Sequence, residues 1–221
     1  NTAIGRYALR NTTATIGSTA VGNGALTANT TGNGNTAVGN NALNTNTTGA
    51  SNVALGFSAL RNSSTAGNNT AVGHQAGRSL TTGGNNTAIG HESQNDGTEG
   101  VSNTSVGQLS LGKNVTGDDN TALGRFAGAY FDQGGAGFEL TNSNDSIFLG
   151  SNTKANAANG TNETVIGHEA IGNGDNSVTI GNQNVVLTVL RGVVNMAGVP
   201  TSSAGLNTGD IWSDGGTLKI V

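Results

Sequence analysis

Residues 35–43 read NTAVGNNAL, and variants of the first five letters recur along the chain. The glycine that ends each variant follows the previous one after 17 residues, from Gly5 to Gly124. The phrase returns three more times with altered spacing, the last copy ending at Gly181. A recurring period of this length is typical of a solenoid, in which each repeat forms one coil that stacks on the next.

Side chains within the phrase alternate between large and small. The residue before each glycine is aliphatic in all eleven copies, and the residue before that is alanine in most of them. The third residue back is always β-branched, so the alternation has a period of two and predicts a short β-strand. We expect the aliphatic side chains to point into a dry interior. These predicted core residues are Ile4, Val21, Val38, Leu55, Val72, Ile89, Val106, Leu123, Leu149, Ile166 and Ile180.

A second apolar position follows each glycine after four residues in most copies. It is occupied by Leu9, Leu26, Leu43, Leu60, Leu111 and Ile171. We interpret this position as a second strand, and the Asn, Thr and Gly residues between the two apolar positions as turns. The prediction is therefore an all-β, parallel β-solenoid of about eleven coils over residues 1–181, with two strands and two turns in each coil.

The apolar content of one coil is too small to stabilise it alone. Ordering a residue costs about 1 kcal/mol or more in conformational entropy, and two buried aliphatic side chains do not offset that cost for a whole coil. We expect the missing burial to come from the alanine positions, packed against copies of the same chain around a symmetry axis. The sequence thus predicts a homotrimer. Its predicted interface residues are Ala3, Ala20, Ala37, Ala54, Ala71, Ala88 and Ala122.

The remaining chain departs from the repeat. Residues 182–200 are the most apolar stretch and predict a transition segment that ends at Pro200. Residues 201–221 predict a C-terminal β-hairpin cap with its turn at 213–216. The chain starts inside a repeat unit, so we expect a fragment or a processed product. The apolar side chains expected to fill a trimer core in the transition segment are Val185, Leu187, Val189, Val193 and Met196.

Composition argues against several classes of partner. The net charge is −4 and Lys and Arg are not clustered, which disfavours nucleic acid and anionic membranes. No apolar run is long enough to predict membrane insertion. The absence of cysteine excludes disulfides and thiolate chemistry, and we predict no cofactor.

Aromatic residues concentrate where nine extra residues interrupt the period between Gly124 and Gly150. A loop inserted in a solenoid is a common place for recognition, and aromatic faces suit stacking on sugars. The alternative is that these rings only fill the gap between misaligned coils. With one ring of the C-terminal hairpin, the predicted receptor contacts are Phe126, Tyr130, Phe131, Phe138 and Trp212.

Histidine and acidic residues offer weaker candidates. His74, His91 and His168 each follow a repeat glycine and could form a three-histidine metal or anion site on a symmetry axis. Because other copies hold Arg, Asn or Gln there, we interpret the position as an exposed polar one and predict no metal. The clusters 96–99 and 118–119, with Asp145, Glu163 and Asp175, fall in predicted turns, so we predict no catalytic residue.

The phrases NTAVG, NTAIG and SVTIG resemble the head repeats of trimeric autotransporter adhesins, over roughly residues 1–181. That resemblance implies a left-handed parallel β-roll assembled as a trimer. The NTAVGNNAL array and the ending at 198–221, GVPTSSAGLNTGDIWSDGGTLKIV, are also similar to bacteriophage tail-fibre proteins. This implies an extracellular virion component that is not an enzyme, with other tail proteins and a bacterial surface glycan or protein receptor as partners.

Three alternatives remain open at the level of sequence. The first is the head of a bacterial surface adhesin, which would place the chain on the bacterial outer surface. The second is an ice-binding solenoid that uses the threonine column, although Val53, Ile147 and Val178 interrupt it. The third is a glycan depolymerase that uses paired carboxylates.

Overall fold

The computed structural model describes residues 1–133, 136–185, 188–189, 199–204, 211–214 and 217–220. Residues 1–184 form one compact unit and residues 185–221 a second. The described regular elements are all strands, and among the described residues no helix is long and apolar enough to cross a membrane. The strands are β1 (Thr2–Ile4), β2 (Thr19–Val21), β3 (Thr36–Val38), β4 (Val53–Leu55), β5 (Thr70–Val72), β6 (Thr87–Ile89), β7 (Thr104–Val106), β8 (Thr121–Leu123), β9 (Tyr130–Gln133), β10 (Ala136–Glu139), β11 (Ile147–Leu149), β12 (Thr164–Ile166), β13 (Val178–Ile180), β14 (Ile211–Asp214) and β15 (Thr217–Ile220).

Eleven of these strands form one parallel sheet that runs along the repeats. Its order is β1 to β8 and then β11 to β13, so each strand pairs with those of the preceding and following coils. The pairing is in register: Ala20 lies opposite Ala37, and Val21 opposite Val38. Identical positions of the repeat therefore stack in columns about 4.8 Å apart. The predicted parallel β-solenoid with a 17-residue repeat is confirmed.

The two faces of the sheet are the reverse of those predicted. Ala20, Ala37, Ala54, Ala71, Ala88 and Ala122 are buried in the interior of the chain, and only Ala3, in the terminal strand, is exposed. The aliphatic residues predicted as core lie on the outside, from Ile4 to Ile180. In the coils around Leu26 and Leu43, these leucines fill the space behind the strand, so the middle strand residue there is an alanine. The alanine column therefore cannot serve as the interface between copies.

The predicted second strand is also wrong. Leu26, Leu43 and Leu60 lie in turns with φ values of 51°, 48° and 48°, in the left-handed region. Each is fully buried, and its N–H donates to the alanine carbonyl of the next coil, as from Leu43 to Ala59 at 3.0 Å. Burial of the leucine side chain and this hydrogen bond stabilise a backbone conformation that residues other than glycine rarely adopt. Each full-length coil thus has one three-residue strand and tight turns, because the chain must reverse direction soon after the glycine.

A ladder of buried asparagines runs beside the sheet. It is formed by the first residue of the phrase, and in Asn69 the side-chain Oδ1 accepts the N–H of Asn86 at 2.9 Å. Its Nδ2 donates to the carbonyl of Gly83 at 3.0 Å. The same pattern repeats in neighbouring coils, which ties each coil to the next and satisfies the turn carbonyls. The fully buried members are Asn35, Asn52, Asn69, Asn86, Asn103 and Asn120.

The long coil between β8 and β11 accommodates its extra residues as an antiparallel hairpin. β9 pairs with β10, and Phe131 lies opposite Phe138 in the register. Lys113 bonds to Glu139 at the end of this hairpin and to Asp96 on the neighbouring coil, at 3.0 Å each. Both bonds raise the pKa of the Lys113 ammonium, and the bond to Asp96 makes the larger contribution.

The second unit contains the predicted C-terminal strands. β14 and β15 pair antiparallel, with Asp214 opposite Thr217. Val185 and Val189 are exposed in the chain. The other predicted trimer-core residues of the transition segment, Leu187, Val193 and Met196, lie outside the described residues, as do the turn glycines at 215–216.

Candidate functional site

The outer face of the sheet is a regular surface that runs along the solenoid. We define it as the first and third side chains of β1–β8 and β11–β13, which flank the buried middle residue. One column is aliphatic and the other is threonine, valine or isoleucine. Ile4, Leu123 and Ile180 expose 60%, 53% and 57% of their side chains. Ten steps of about 4.8 Å make the face roughly 48 Å long.

No charged residue interrupts the outer face within these eleven strands. A flat, continuous, largely apolar surface of this length is unusual for a protein that remains alone in water. Covering it desolvates no charge, and the polar hydration that association there removes is that of the threonine hydroxyls. The aliphatic residues of the outer face are those that the sequence predicted as core. Their size and regular spacing could be read from the sequence, but the direction in which their side chains point could not.

Beside the outer face runs the column of residues that directly follow the repeat glycines. Here the rings of Phe57, His74 and His91 stack on three successive coils. The centroid distances are 5.2 Å and 4.9 Å, and the rings are within 10° and 6° of parallel. Glu92 lies beside His91, with Oε2 3.9 Å from Nδ1. His168 follows a glycine four coils further on, so the three predicted histidines do not meet within one chain.

The aromatic residues of the insertion are partly brought together. The half-buried rings of Phe126 and Tyr130 lie 6.0 Å apart, and the Arg125 guanidinium lies 4.3 Å above the Phe126 ring. Tyr130 also lines an open groove of about 500 Å³ with Lys154 and Glu169. Such a ring-and-charge arrangement suits a polar ring-shaped ligand such as a sugar. The remaining predicted contacts, Phe131, Phe138 and Trp212, have their side chains outside the described residues.

Several acidic groups that the sequence placed in predicted turns have structural partners. Asp118 Oδ1 accepts the N–H of Val101 at 2.7 Å, and Asp175 Oδ1 accepts the N–H of Thr161 at 2.8 Å. Asp96 pairs with Lys113, as described above. All three contacts join neighbouring coils, so these acidic groups stabilise the stack.

Glu163 is placed differently from its prediction as a turn residue. It is fully buried at the ladder position that asparagine occupies in most coils. Desolvation raises the pKa of its carboxyl, and the N–H of Asn156, 3.1 Å from Oε2, partly opposes that rise. Oε1 has no hydrogen-bond partner. The alignment of Glu163 with the asparagines was the available sequence signal for burial.

With this geometry, the chain is a parallel β-solenoid with an uncharged, apolar outer face and an aromatic insertion. Comparison with protein-family models, with curated proteins and with solved structures found no match.

Proposed function

We propose that the chain is the trimeric shaft of an extracellular fibre, a bacteriophage tail fibre, in which three copies bury their outer faces around a common axis. The observation that carries this proposal is the continuous outer face, whose large aliphatic side chains are exposed or half-buried from Ile4 to Ile180. The number of copies rests on the resemblance to trimeric adhesin heads.

Repetition suits this surface to a fibre. Every coil presents the same columns, so copies placed side by side around an axis parallel to the stack bury each coil in the same way. Burial of apolar area contributes about 25 cal/mol per Å², and the face offers it over its whole length without desolvating a charge. We therefore still propose the homotrimer that the sequence predicted, but its interface is the outer face rather than the alanine column.

The proposed recognition site is the cluster of Arg125, Phe126 and Tyr130. Its partner would be a bacterial surface glycan or protein, and the fibre would attach to other virion tail proteins. The similarity of residues 198–221 to phage fibre endings favours the virion over a bacterial adhesin head, which would assemble in the same way. A solenoid in this role supports and presents its contacts, so we propose no enzymatic activity.

The assembly is tested by light scattering on the purified chain. The chain has a mass of 21.8 kDa, and we expect about three times that mass. Leu55→Lys combined with Leu123→Lys places two ammonium groups on the outer face and should give single chains, because a lysine buried without a partner is strongly unfavourable.

The matched control is Thr48→Lys, at an exposed turn position outside the sheet. It adds the same kind of charge and should leave the mass unchanged. A wild-type mass of one chain would overturn the assembly, and so would a Leu55→Lys/Leu123→Lys variant that keeps the wild-type mass.

Recognition is tested separately by binding of the wild-type protein to an array of bacterial surface glycans. Phe126→Ala and Tyr130→Ala should lose the binding that the wild type shows, whereas Tyr7→Ala, which removes an exposed ring elsewhere, should retain it. Equal binding by all variants would exclude the cluster as the contact site.

Ice binding is a second candidate because the threonine column of the outer face points outward in register. The strand position holds threonine in eight of eleven copies, and the stacked hydroxyls form a regular flat array. This function requires the face to be exposed to water, whereas the fibre requires it to be covered. Thermal hysteresis that Thr70→Lys abolishes would favour ice binding, and its absence in a protein of trimer mass would favour the fibre.

A further inference from the structure

We infer that His74, His91 and Glu92 form a binding site for one divalent transition-metal ion of the zinc type. One ligand atom from each of these residues lies within 4.8 Å of the other two. Among the described residues, this is the one group of three such side chains close enough to share an ion. The site lies within a single chain and does not depend on the proposed assembly.

The backbone places the two imidazoles on successive coils. His74 and His91 occupy the same repeat position, and the N–H of Glu92 donates to the carbonyl of His74 at 2.9 Å. Glu92 has a φ of 54°, so the chain turns directly after His91. The turn leaves the Glu92 carboxylate 3.9 Å from His91 Nδ1. In-register stacking therefore converts a 17-residue sequence spacing into a pair of neighbouring nitrogen ligands.

The donor set selects the class of ion. Two imidazole nitrogens and one carboxylate oxygen suit zinc, nickel and copper, whereas calcium and magnesium prefer oxygen ligands alone. Metal–nitrogen bonds of about 2.1 Å require ligand atoms about 3.4 Å apart in tetrahedral geometry. The two imidazoles stack nearly parallel, so at least one of these exposed rings must rotate out of the stack before both nitrogens point at one ion, and water can complete the coordination.

Phe57 restricts one side of the site. Its ring stacks on His74 at 5.2 Å and 10°, which limits rotation of that imidazole away from His91. Because ion binding must turn at least one imidazole out of this stack, Phe57→Ala, which frees the His74 ring, should strengthen binding without changing a ligand.

The chain offers a matched control at a second Gly-His-Glu sequence. His168 and Glu169 have the same 3.9 Å separation as His91 and Glu92. Serine and asparagine, rather than histidine, occupy the adjacent coils at positions 151 and 182. A His–Glu pair alone would bind an ion at both places, but the proposed three-ligand site exists only around His91.

The test is calorimetric titration of zinc chloride into the tag-free, EDTA-treated chain, with circular dichroism as a check on folding. We expect one zinc ion per chain, an affinity at least tenfold lower in His74→Ala and in His91→Ala, and no change in His168→Ala. Excess calcium should not compete. Wild-type protein without zinc binding, or histidine variants that bind like the wild type, would overturn the site.

A second measurement needs no variant. Sub-stoichiometric copper(II) should broaden the imidazole NMR signals of His74 and His91 first and leave that of His168 sharp. Equal broadening of all three signals would show non-specific binding and would overturn the proposed site.

Discussion

At the scale of single residues, buried asparagines stabilise this solenoid because their side-chain amides bond to the neighbouring coil, whereas the buried alanines stabilise it because they are small enough for the narrow interior. Asn69 donates to Gly83 and accepts from Asn86 in a position that excludes water. Its own N–H donates to Asn52 at 3.0 Å. Asn69 therefore links three coils, and loss of its side chain leaves two buried groups of the following coil unpaired, the Asn86 N–H and the Gly83 carbonyl.

Asn69→Ala should lower the free energy of unfolding by about 2–6 kcal/mol, because a buried N–H and a buried carbonyl each lose their partner at about 1–3 kcal/mol. Asn40→Ala, at an exposed position, is the control and should change it by less than about 0.5 kcal/mol. Both are measured by chemical denaturation at one protein concentration. Equal effects of the two substitutions would contradict the structural role of the ladder.

Glu163 gives the ladder a pH dependence. Burial raises the pKa of its carboxyl in the folded chain above the value in the unfolded chain. The folded state therefore favours the protonated form, and this contribution to stability is complete below the unfolded pKa and is lost as the pH rises through the folded pKa. The unfolding free energy of Glu163→Gln relative to wild type should increase from about pH 4 to pH 7.

The control for this titration is Glu169→Gln, which removes an exposed carboxyl on the same coil. Its unfolding free energy relative to wild type should change less between pH 4 and pH 7 than that of Glu163→Gln, because Glu169 is exposed. Parallel profiles for wild type and Glu163→Gln across the range would show that burial does not shift this group.

At the scale of elements, coils of unequal composition compensate for one another in size. Phe148 occupies the buried strand position that alanine holds in most coils, and Gly128 lies beside it. A Cβ atom at Gly128 would lie 2.6 Å from Phe148 Cδ2 and 3.0 Å from Leu111 Cδ2. The larger strand residue is thus accommodated by a missing side chain in the facing turn.

Gly128→Ala should destabilise the chain by about 2–4 kcal/mol, through overpacking and through its φ of 58°. Combining it with Phe148→Ala should recover part of that loss, since the clash is removed. Gly174→Ala isolates the backbone contribution, because its φ is 98° and its Cβ would meet nothing within 4 Å. Strictly additive effects of Gly128→Ala and Phe148→Ala in a double-mutant cycle would contradict the contact.

The sequence predicted the period, the strand and its register because these depend on spacing, and the eleven glycine-ended phrases define spacing directly. It did not predict which face is inside, because alternation with a period of two is the same for either orientation. Val38 was assigned to the interior by its hydrophobicity, and Ala37 is there because of the narrow coil. The turn at Leu43 was missed since its left-handed backbone is held by bonds to the next coil.

The candidate sites were likewise predictable from the sequence only where spacing decides which residues meet. His74 and His91 could be placed together from their 17-residue spacing, because register alone decides it. The approach of Glu92 depends on a side-chain direction set by the local turn, which spacing does not encode. Phe126 and Tyr130 were selected by composition, and their contact depends on how the insertion folds.

At the scale of the whole molecule, stability is shared between neighbouring coils rather than concentrated in one core. Strand pairs, the asparagine ladder and the turn bonds all connect a coil to the next along the stack. In a stack of this kind, stability is approximately a sum of terms for repeats and for nearest-neighbour interfaces. The length of the solenoid can therefore change by whole coils without loss of the fold.

This arrangement predicts different outcomes for two deletions in the regular part of the stack. Removal of residues 23–39 takes out one complete coil and joins Gly22 to Asn40, which restores every column in register. Removal of residues 23–30 leaves eight residues between Gly22 and Gly39, too few to complete a coil and return to the strand. The whole-coil deletion should keep the β-sheet circular dichroism spectrum and cooperative unfolding, with a midpoint slightly below that of the wild type. The half-coil deletion should lose cooperative unfolding, because the columns on its two sides no longer meet. If both deletions destabilised the chain equally, coils would not be the independent units of this structure.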